Sequence, residues 1–385
     1  VYKRQLVLAV EIDRDGARLR AYTLKDRPFR LGPETPEPQP YVEGRPVQAE
    51  VRLNGPDGTR LTRRIDVGPL CLTHGPDAPP HVEGDTILLH RDVFLVELPE
   101  LREGDQLEVA FHERSRGELL RRSLGLDRLD RARFVPAGGP FSYADLAFAD
   151  PLDGGHDTLI ASARVTWPED LGDPDLLQIY GNPDEGAERV NIVIVPDGYT
   201  YAEKALMRGH ADAMVQHFRF KTPYAEHDRF INYTLVYAYS NESGTDQCDC
   251  DVILDTAMGT RFPDTGYPCG ASENRCLYYG SGCDTNATTN ILSAELRAPY
   301  HDETIVMVNT TRYGGCGGAR AVYSAANSAA TEVAVHELGH SLGGLADEYG
   351  GNPSCGTQAS EINTSLNPGD GAWPEWVAEI GPAWE

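Results

Sequence analysis

Residues 329–342 read Ala329-Ala330-Thr331-Glu332-Val333-Ala334-Val335-His336-Glu337-Leu338-Gly339-His340-Ser341-Leu342, and this stretch decides how the second half of the chain is read. It predicts a helix running to about Leu342. Gly343-Gly344 follows, a pair that ends a helix and turns the chain back. On such a helix His336 and His340 are four residues apart and lie one above the other on the same face. Two imidazoles so placed can each give one ring nitrogen to a single Zn²⁺ at about 2.0–2.1 Å. Glu337, next to the first histidine, is placed to take a proton from a water activated by such an ion and to pass it on. The plainer reading, two satisfied histidines on the surface of an amphipathic helix, stands beside it.

Two imidazoles need a third ligand. Beyond the glycine turn lies Leu345-Ala346-Asp347-Glu348-Tyr349, where a returning chain can bring a carboxylate to the ion. The metzincin spacing HExxHxxGxxH, or its Asp variant, would put that ligand at position 346, which is Ala; the first carboxylate comes one residue later, at Asp347. Asp347 is the first candidate, Glu348 the second, and a more distant residue the third. Tyr349 is read either as a hydrogen-bond donor to a developing oxyanion or as a packing residue.

Working outward, Val190-Asn191-Ile192-Val193-Ile194-Val195 is a short continuous apolar run typical of a buried strand. A turn at Pro196–Thr200 leads to a helix expected over 202–217. Ile231–Tyr239 reads as a second strand and Thr304–Asn309 as a third, followed by a Gly-rich turn at Tyr313–Gly318. Strand, helix, strand, strand, helix is an α+β or mixed α/β pattern. Thr304–Asn309, with Val308 and Asn309 nearest the turn, reads as an extended edge that adds a substrate strand, or as an ordinary core strand. Asp197 and Tyr199 close a strand, where α/β folds gather functional groups, yet Asp197 also reads as the cap of the next helix.

The first part of the chain has another texture. Leu6–Ile12 and Ala17–Tyr22 flank Asp13-Arg14-Asp15-Gly16, a hairpin signal. Further strands are expected at Thr86–His90, Val93–Leu98 and Gln106–Phe111, between Pro- and Gly-rich gaps. The division expected is an antiparallel β-sandwich accessory domain over 1–145, a junction over 146–187 and the domain with the histidine helix over 188–385.

Composition narrows the function classes. The 385 residues carry 34 Lys and Arg against 59 Asp and Glu, a formal charge of −25. A surface this acidic repels phosphate backbones and anionic lipid, which argues against nucleic-acid binding and electrostatic membrane docking. No apolar run approaches 18 residues, so no membrane-inserted helix is expected. The sequence opens on Val1-Tyr2-Lys3 and reads as a mature or trimmed chain whose export signal has been removed. Seven of the eight cysteines fall between Cys248 and Cys355, the pattern of a disulfide-stapled secreted module, with a structural zinc site as the rival reading. Cys316 sits in Gly-Gly-Cys-Gly-Gly, but its disulfide-rich company argues against a free nucleophilic thiolate. Asp246, Asp249 and Asp251 read as a solvated acidic loop or as hard ligands for Ca²⁺. Trp373, Trp376 and Trp384 read as packing residues. Oligomeric state is not legible.

The histidine helix with Leu345-Ala346-Asp347-Glu348-Tyr349 resembles the M64 family of zinc metallopeptidases, the IgA-peptidase family. So do Val193–Thr200, Ser240-Asn241-Glu242-Ser243-Gly244-Thr245-Asp246, Asp255-Thr256-Ala257, and Val308-Asn309 with Tyr313-Gly314-Gly315. These ordered motifs span about 188–350. The resemblance implies a zincin-like metallopeptidase domain, a Zn²⁺ cofactor, hydrolysis of peptide bonds in a protein or peptide substrate, and export. It does not imply that immunoglobulin A is the substrate. Metzincins carry a Met-turn after the zinc motif, whereas the four methionines here all precede it; either the floor of the site is built otherwise or the chain is truncated. Two rival functions remain: a secreted or surface adhesion module that keeps the fold without turnover, and a zinc hydrolase acting on a non-peptide amide.

Overall fold

The protein is represented by a computed structural model that describes the β-strands within residues 5–124, short strands at 147–148 and 165–166, Leu171, and residues 175–345 apart from 265, 272–273, 280–286 and 319. Asp347, Glu348, Tyr349 and the three C-terminal tryptophans lie outside the described residues.

One eight-stranded sheet organises the second half. Its order is Leu176–Tyr180, Ile231–Val236, Val190–Asp197, Glu303–Val308, Ala321–Ser324, Gly315–Gly317, Leu70–Leu72 and Thr86–Ile87. The Ile231, Val190, Glu303 and Ala321 strands are mutually parallel, and the strands flanking them are antiparallel. Parallel strands are covered on both faces, which is why Val190-Asn191-Ile192-Val193-Ile194-Val195 is apolar almost throughout rather than alternating.

Successive side chains point to opposite faces and build two cores. Ile192, Ile194, Tyr233, Leu235, Ile305, Met307 and Tyr323 pack under the helices Lys204–Phe220 and Ala330–Ser341. Val193, Val195, Val236, Val306, Val308 and Val322 pack on the other face against Ile291 and Ala294 of the helix Ala287–Arg297, and against Met258 and Phe262 of the cysteine-rich loop. The result is a three-layered mixed α/β arrangement of a kind compatible with a peptidase domain.

Some elements departed from the sequence reading. Leu176–Tyr180, inside the acidic stretch read as junction, is a full strand of the sheet. The helix Ala287–Arg297 is not among the elements expected from the sequence. Residues 315–317, expected as part of a turn, form a strand between Ala321–Ser324 and Leu70–Leu72.

In the first part, Gln5–Asp13 and Gly16–Lys25 pair as a hairpin, and Arg91–Pro99 joins the other side of Gln5–Asp13. A second sheet runs in the order Gly58–Asp66, Val47–Gly55, Gln106–Glu113, Gly117–Leu124. Val51, Leu53, Val96, Leu98 and Leu107 are buried. No described helix is long and apolar enough to cross a membrane.

The acidic loop is a structural clamp. Asp249 bonds both nitrogens of the Arg312 guanidinium at 2.9 and 2.8 Å and accepts from Gly270 N and Asn274 Nδ2. Burial would raise the Asp249 pKa, but these donors outweigh it and hold the group at about 2. Asp246 instead accepts from Leu254 N, and Asp251 is exposed with a left-handed backbone. Asp249 is taken up by Arg312, Gly270 and Asn274 and Asp246 by Leu254, and among the described residues these aspartates form no metal-ligating group, so the Ca²⁺ reading is withdrawn.

Glu303, at the start of a central strand, is buried, and burial pushes its pKa up to about 8. The nearby guanidinium of Arg320 is committed to Glu295, at 2.9 Å between Nη2 and Oε2. Burial also opposes ionisation of Glu295, but Arg320 prevails and lowers its pKa. One cation serves two carboxyl groups, so Glu303 holds its proton in the folded state above the pH at which the unfolded chain loses it. The stability this contributes is fully present below the ordinary value near 4.5 and is lost as pH rises through about 8. Urea unfolding midpoints between pH 5 and 8.5 should fall more steeply for the native chain than for Glu303→Gln. The difference should reach up to about 1.4 kcal/mol per pH unit. Parallel pH profiles would show that Glu303 does not titrate between those limits.

Candidate metal centre

The helix Ala330–Ser341 carries His336, Glu337 and His340. Ala330, Val333, Ala334 and Leu338 bury one side of it in the core, which fixes its rotation about its axis. Asn327 holds its start: the Asn327 side chain accepts from Ala329 N at 2.9 Å and donates to Thr311 O at 2.8 Å. At the other end Gly344 adopts φ +62°, a conformation glycine takes without strain, and donates to His340 O. Leu345 N donates to Gly339 O, so the chain doubles back over the last turn.

That reversal sets a tautomer. The His340 Nδ1 lies 2.6 Å from the Leu345 carbonyl, which can only accept, so Nδ1 carries the proton. The lone pair is then on Nε2, and a histidine whose other nitrogen donates to a carbonyl is a pre-oriented metal ligand. The His340 Nε2 faces the His336 Nε2 at 3.0 Å, with the rings perpendicular. Two nitrogens at about 2.0–2.1 Å from a tetrahedral ion are separated by about 3.3 Å, so the pair fits a cation of that size. Glu337 completes a group whose ligand atoms all lie within 4.8 Å of one another. Both histidines are half-buried, and Glu337 is fully buried.

Glu337 lies against a strand the sequence reading had as a turn. A methyl group on Gly315 would overlap Glu337 Oε1 and come within 2.6 Å of Val333 Cγ1; one on Gly317 would overlap the His340 side chain. The signal was present in the period-two pattern Gly315-Cys316-Gly317, but turn chemistry masked it. Cys316 is bonded to Cys276, and Cys250 to Cys269, so both belong to the disulfide framework and Cys316 is no nucleophile.

The other candidates are placed as follows. Glu303–Val308 is paired on both sides, by Val190–Asp197 and by Ala321–Ser324. Val308 and Asn309 are therefore not on a free edge, and the expectation of substrate addition there is corrected: the backbone groups needed are consumed within the sheet. Asn309 N donates to Asp197 O, and its side chain donates to Gly198 O and Ser243 Oγ. Asp197 caps no helix. It is fully buried and accepts from Gly198 N, Met258 N, Thr260 N and Thr260 Oγ1, stapling the 256–260 loop to the strand end; burial raises its pKa against those bonds. The following helical segment is opened instead by Thr200 and Glu203 in a capping box. Tyr199 is buried, with its hydroxyl 2.7 Å from His210 Nδ1.

Residues 181–382, just over half of the chain, match the family described as IgA Peptidase M64. The chain belongs to that family. It is a peptidase, a hydrolase whose substrates are proteins or peptides, and the His336–Glu337–His340 group falls inside the matched region. No curated protein matches the chain.

Proposed function

We propose that this chain is a secreted, zinc-dependent endopeptidase. The observation that carries the reading is the facing pair of Nε2 atoms at 3.0 Å, one with its tautomer set by the Leu345 carbonyl, beside a buried carboxylate on the same helix. His336 and His340 hold the ion, and Asp347 is the third ligand, with Glu348 as the alternative. When bound, Zn²⁺ supplies Lewis acidity at a scissile carbonyl and acidifies a water. Glu337 accepts the proton of the attacking water and delivers it to the departing amine. Tyr349 donates to the oxygen on which charge develops. The disulfides Cys250–Cys269 and Cys276–Cys316 support a location outside the reducing cytosol. The β-rich first part, read as a sandwich domain over 1–145, positions substrate or tethers the enzyme.

Protein purified without added metal should contain one zinc per chain by mass spectrometry. It should cleave fluorescein-labelled casein, lose that activity to a chelator and regain it with Zn²⁺. A folded, metal-free protein unable to take up zinc would overturn the reading.

A further inference from the structure

The strand Gly315–Gly317 lies beside the metal-site helix in a specific way. Residues two apart on a strand share a face. Gly315 pairs with Tyr323, whose side chain belongs to the core under the helices, and Cys316 pairs with Val322, whose side chain belongs to the opposite core. The two glycines therefore face the helix and Cys316 faces away, where Cys276 holds it. Neither glycine has a positive φ, so a side chain at either position meets no backbone strain, only lack of space. That space is filled by different groups: Glu337 and Val333 opposite Gly315, and the His340 ring, with Cδ2 at 2.9 Å from an added methyl, opposite Gly317.

We propose that Gly315-Cys316-Gly317 is the positioning wall of the metal centre, with Gly315 seating the Glu337 carboxylate, Gly317 seating the His340 imidazole, and the Cys276–Cys316 disulfide pressing the strand against both. The proposal rests on the zinc-peptidase reading above and adds to it a division of labour between two glycines two residues apart. A bulkier residue at 315 meets Glu337 and Val333 first, before any histidine atom, so it displaces the proton carrier ahead of the ligands. A bulkier residue at 317 displaces a ligand. Severing the disulfide loosens the wall and disturbs both.

The test compares Gly315→Ala, Gly317→Ala, the pair Cys276→Ser with Cys316→Ser, and Gly209→Ala as a control, because a methyl on Gly209 meets nothing within 4 Å. Zinc dissociation constants are measured by chelator competition, and kcat on labelled casein at saturating zinc. Gly317→Ala should weaken zinc binding by about 10- to 100-fold, the usual cost of losing support around a ligand. Gly315→Ala should lower kcat by a similar factor with zinc affinity within about twofold of the native chain. The serine pair should lower both, and Gly209→Ala neither. A wall that served folding alone would lower the melting temperature of both glycine variants without separating the two readouts, and that result overturns the proposal. Should a glycine variant fail to fold, the serine pair decides, since native zinc affinity and kcat without the disulfide also overturn it. A native chain that takes up no zinc defeats the parent reading instead, and is recognised before any variant is made.

Discussion

Glu337→Ala should abolish casein cleavage, by about 10²- to 10⁴-fold in kcat, while the protein still binds one zinc. The magnitude is that of losing a general acid–base group. The separation of the two readouts follows from the geometry. Glu337 is next to His336 in sequence but is turned by the helix toward Gly315, whereas the two Nε2 atoms face each other. Removing the carboxylate takes away the group that moves protons and leaves both imidazoles and the His340–Leu345 bond in place. Global folding should survive, because the helix is seated by Val333, Ala334 and Leu338. Glu337→Gln, which keeps the shape and removes the basic oxygen, should behave the same way. Undiminished turnover in either variant would remove Glu337 from the chemistry and with it the mechanism proposed above.

The parts of this site that were legible in the sequence are those fixed by local geometry. A four-residue separation places two side chains on one face of any helix, so His336 and His340 are brought together by spacing alone. The glycine pair after the helix likewise announces a reversal, and Gly344 has the positive φ that such a reversal uses. The buried parallel strands were legible from their continuous apolar runs, although their order in the sheet was not. Whether Glu303–Val308 is central or an edge depends on Ala321–Ser324, a four-residue segment too short to stand out between a Gly-rich turn and an Ala-rich helix. Asp197 was misread for a similar reason. Its donors come from residues 256–260, some sixty positions away, and no local rule distinguishes a helix cap from an acceptor for a distant loop. Gly315 and Gly317 were read as turn residues because glycine is ambiguous by itself. It marks either a backbone that must bend or a backbone that another group must approach, and only the presence of Glu337 and His340 opposite them decides for the second.

His336→Ala should bring zinc content from one per chain to none. Three protein ligands are the most that leave one position open on a tetrahedral ion, and a helix that offers a single histidine holds the ion too weakly to survive purification. The same substitution has a thermodynamic signature that does not depend on knowing the substrate. An ion that binds only the folded chain stabilises it by RT ln(1 + [L]/Kd), about 4 kcal/mol when free zinc is a thousandfold above Kd. For a domain of roughly 150–250 residues each kcal/mol is worth about 2–4 °C, so saturating zinc should raise the melting temperature of the native chain by roughly 8–16 °C. His336→Ala should show no such rise. Glu337→Ala should show nearly all of it, and the contrast between adjacent positions separates ligand from proton carrier by calorimetry alone. His340→Ala should match His336→Ala in losing the ion, and in addition it frees the Leu345 carbonyl from its bond to Nδ1, so the turn at Gly343-Gly344 should become more accessible to proteolysis in that variant than in the other. A zinc-dependent rise that persists in both histidine variants would mean the ion is held elsewhere, and the facing imidazoles would then have to be read as a hydrogen-bonded pair on the surface of a packed helix.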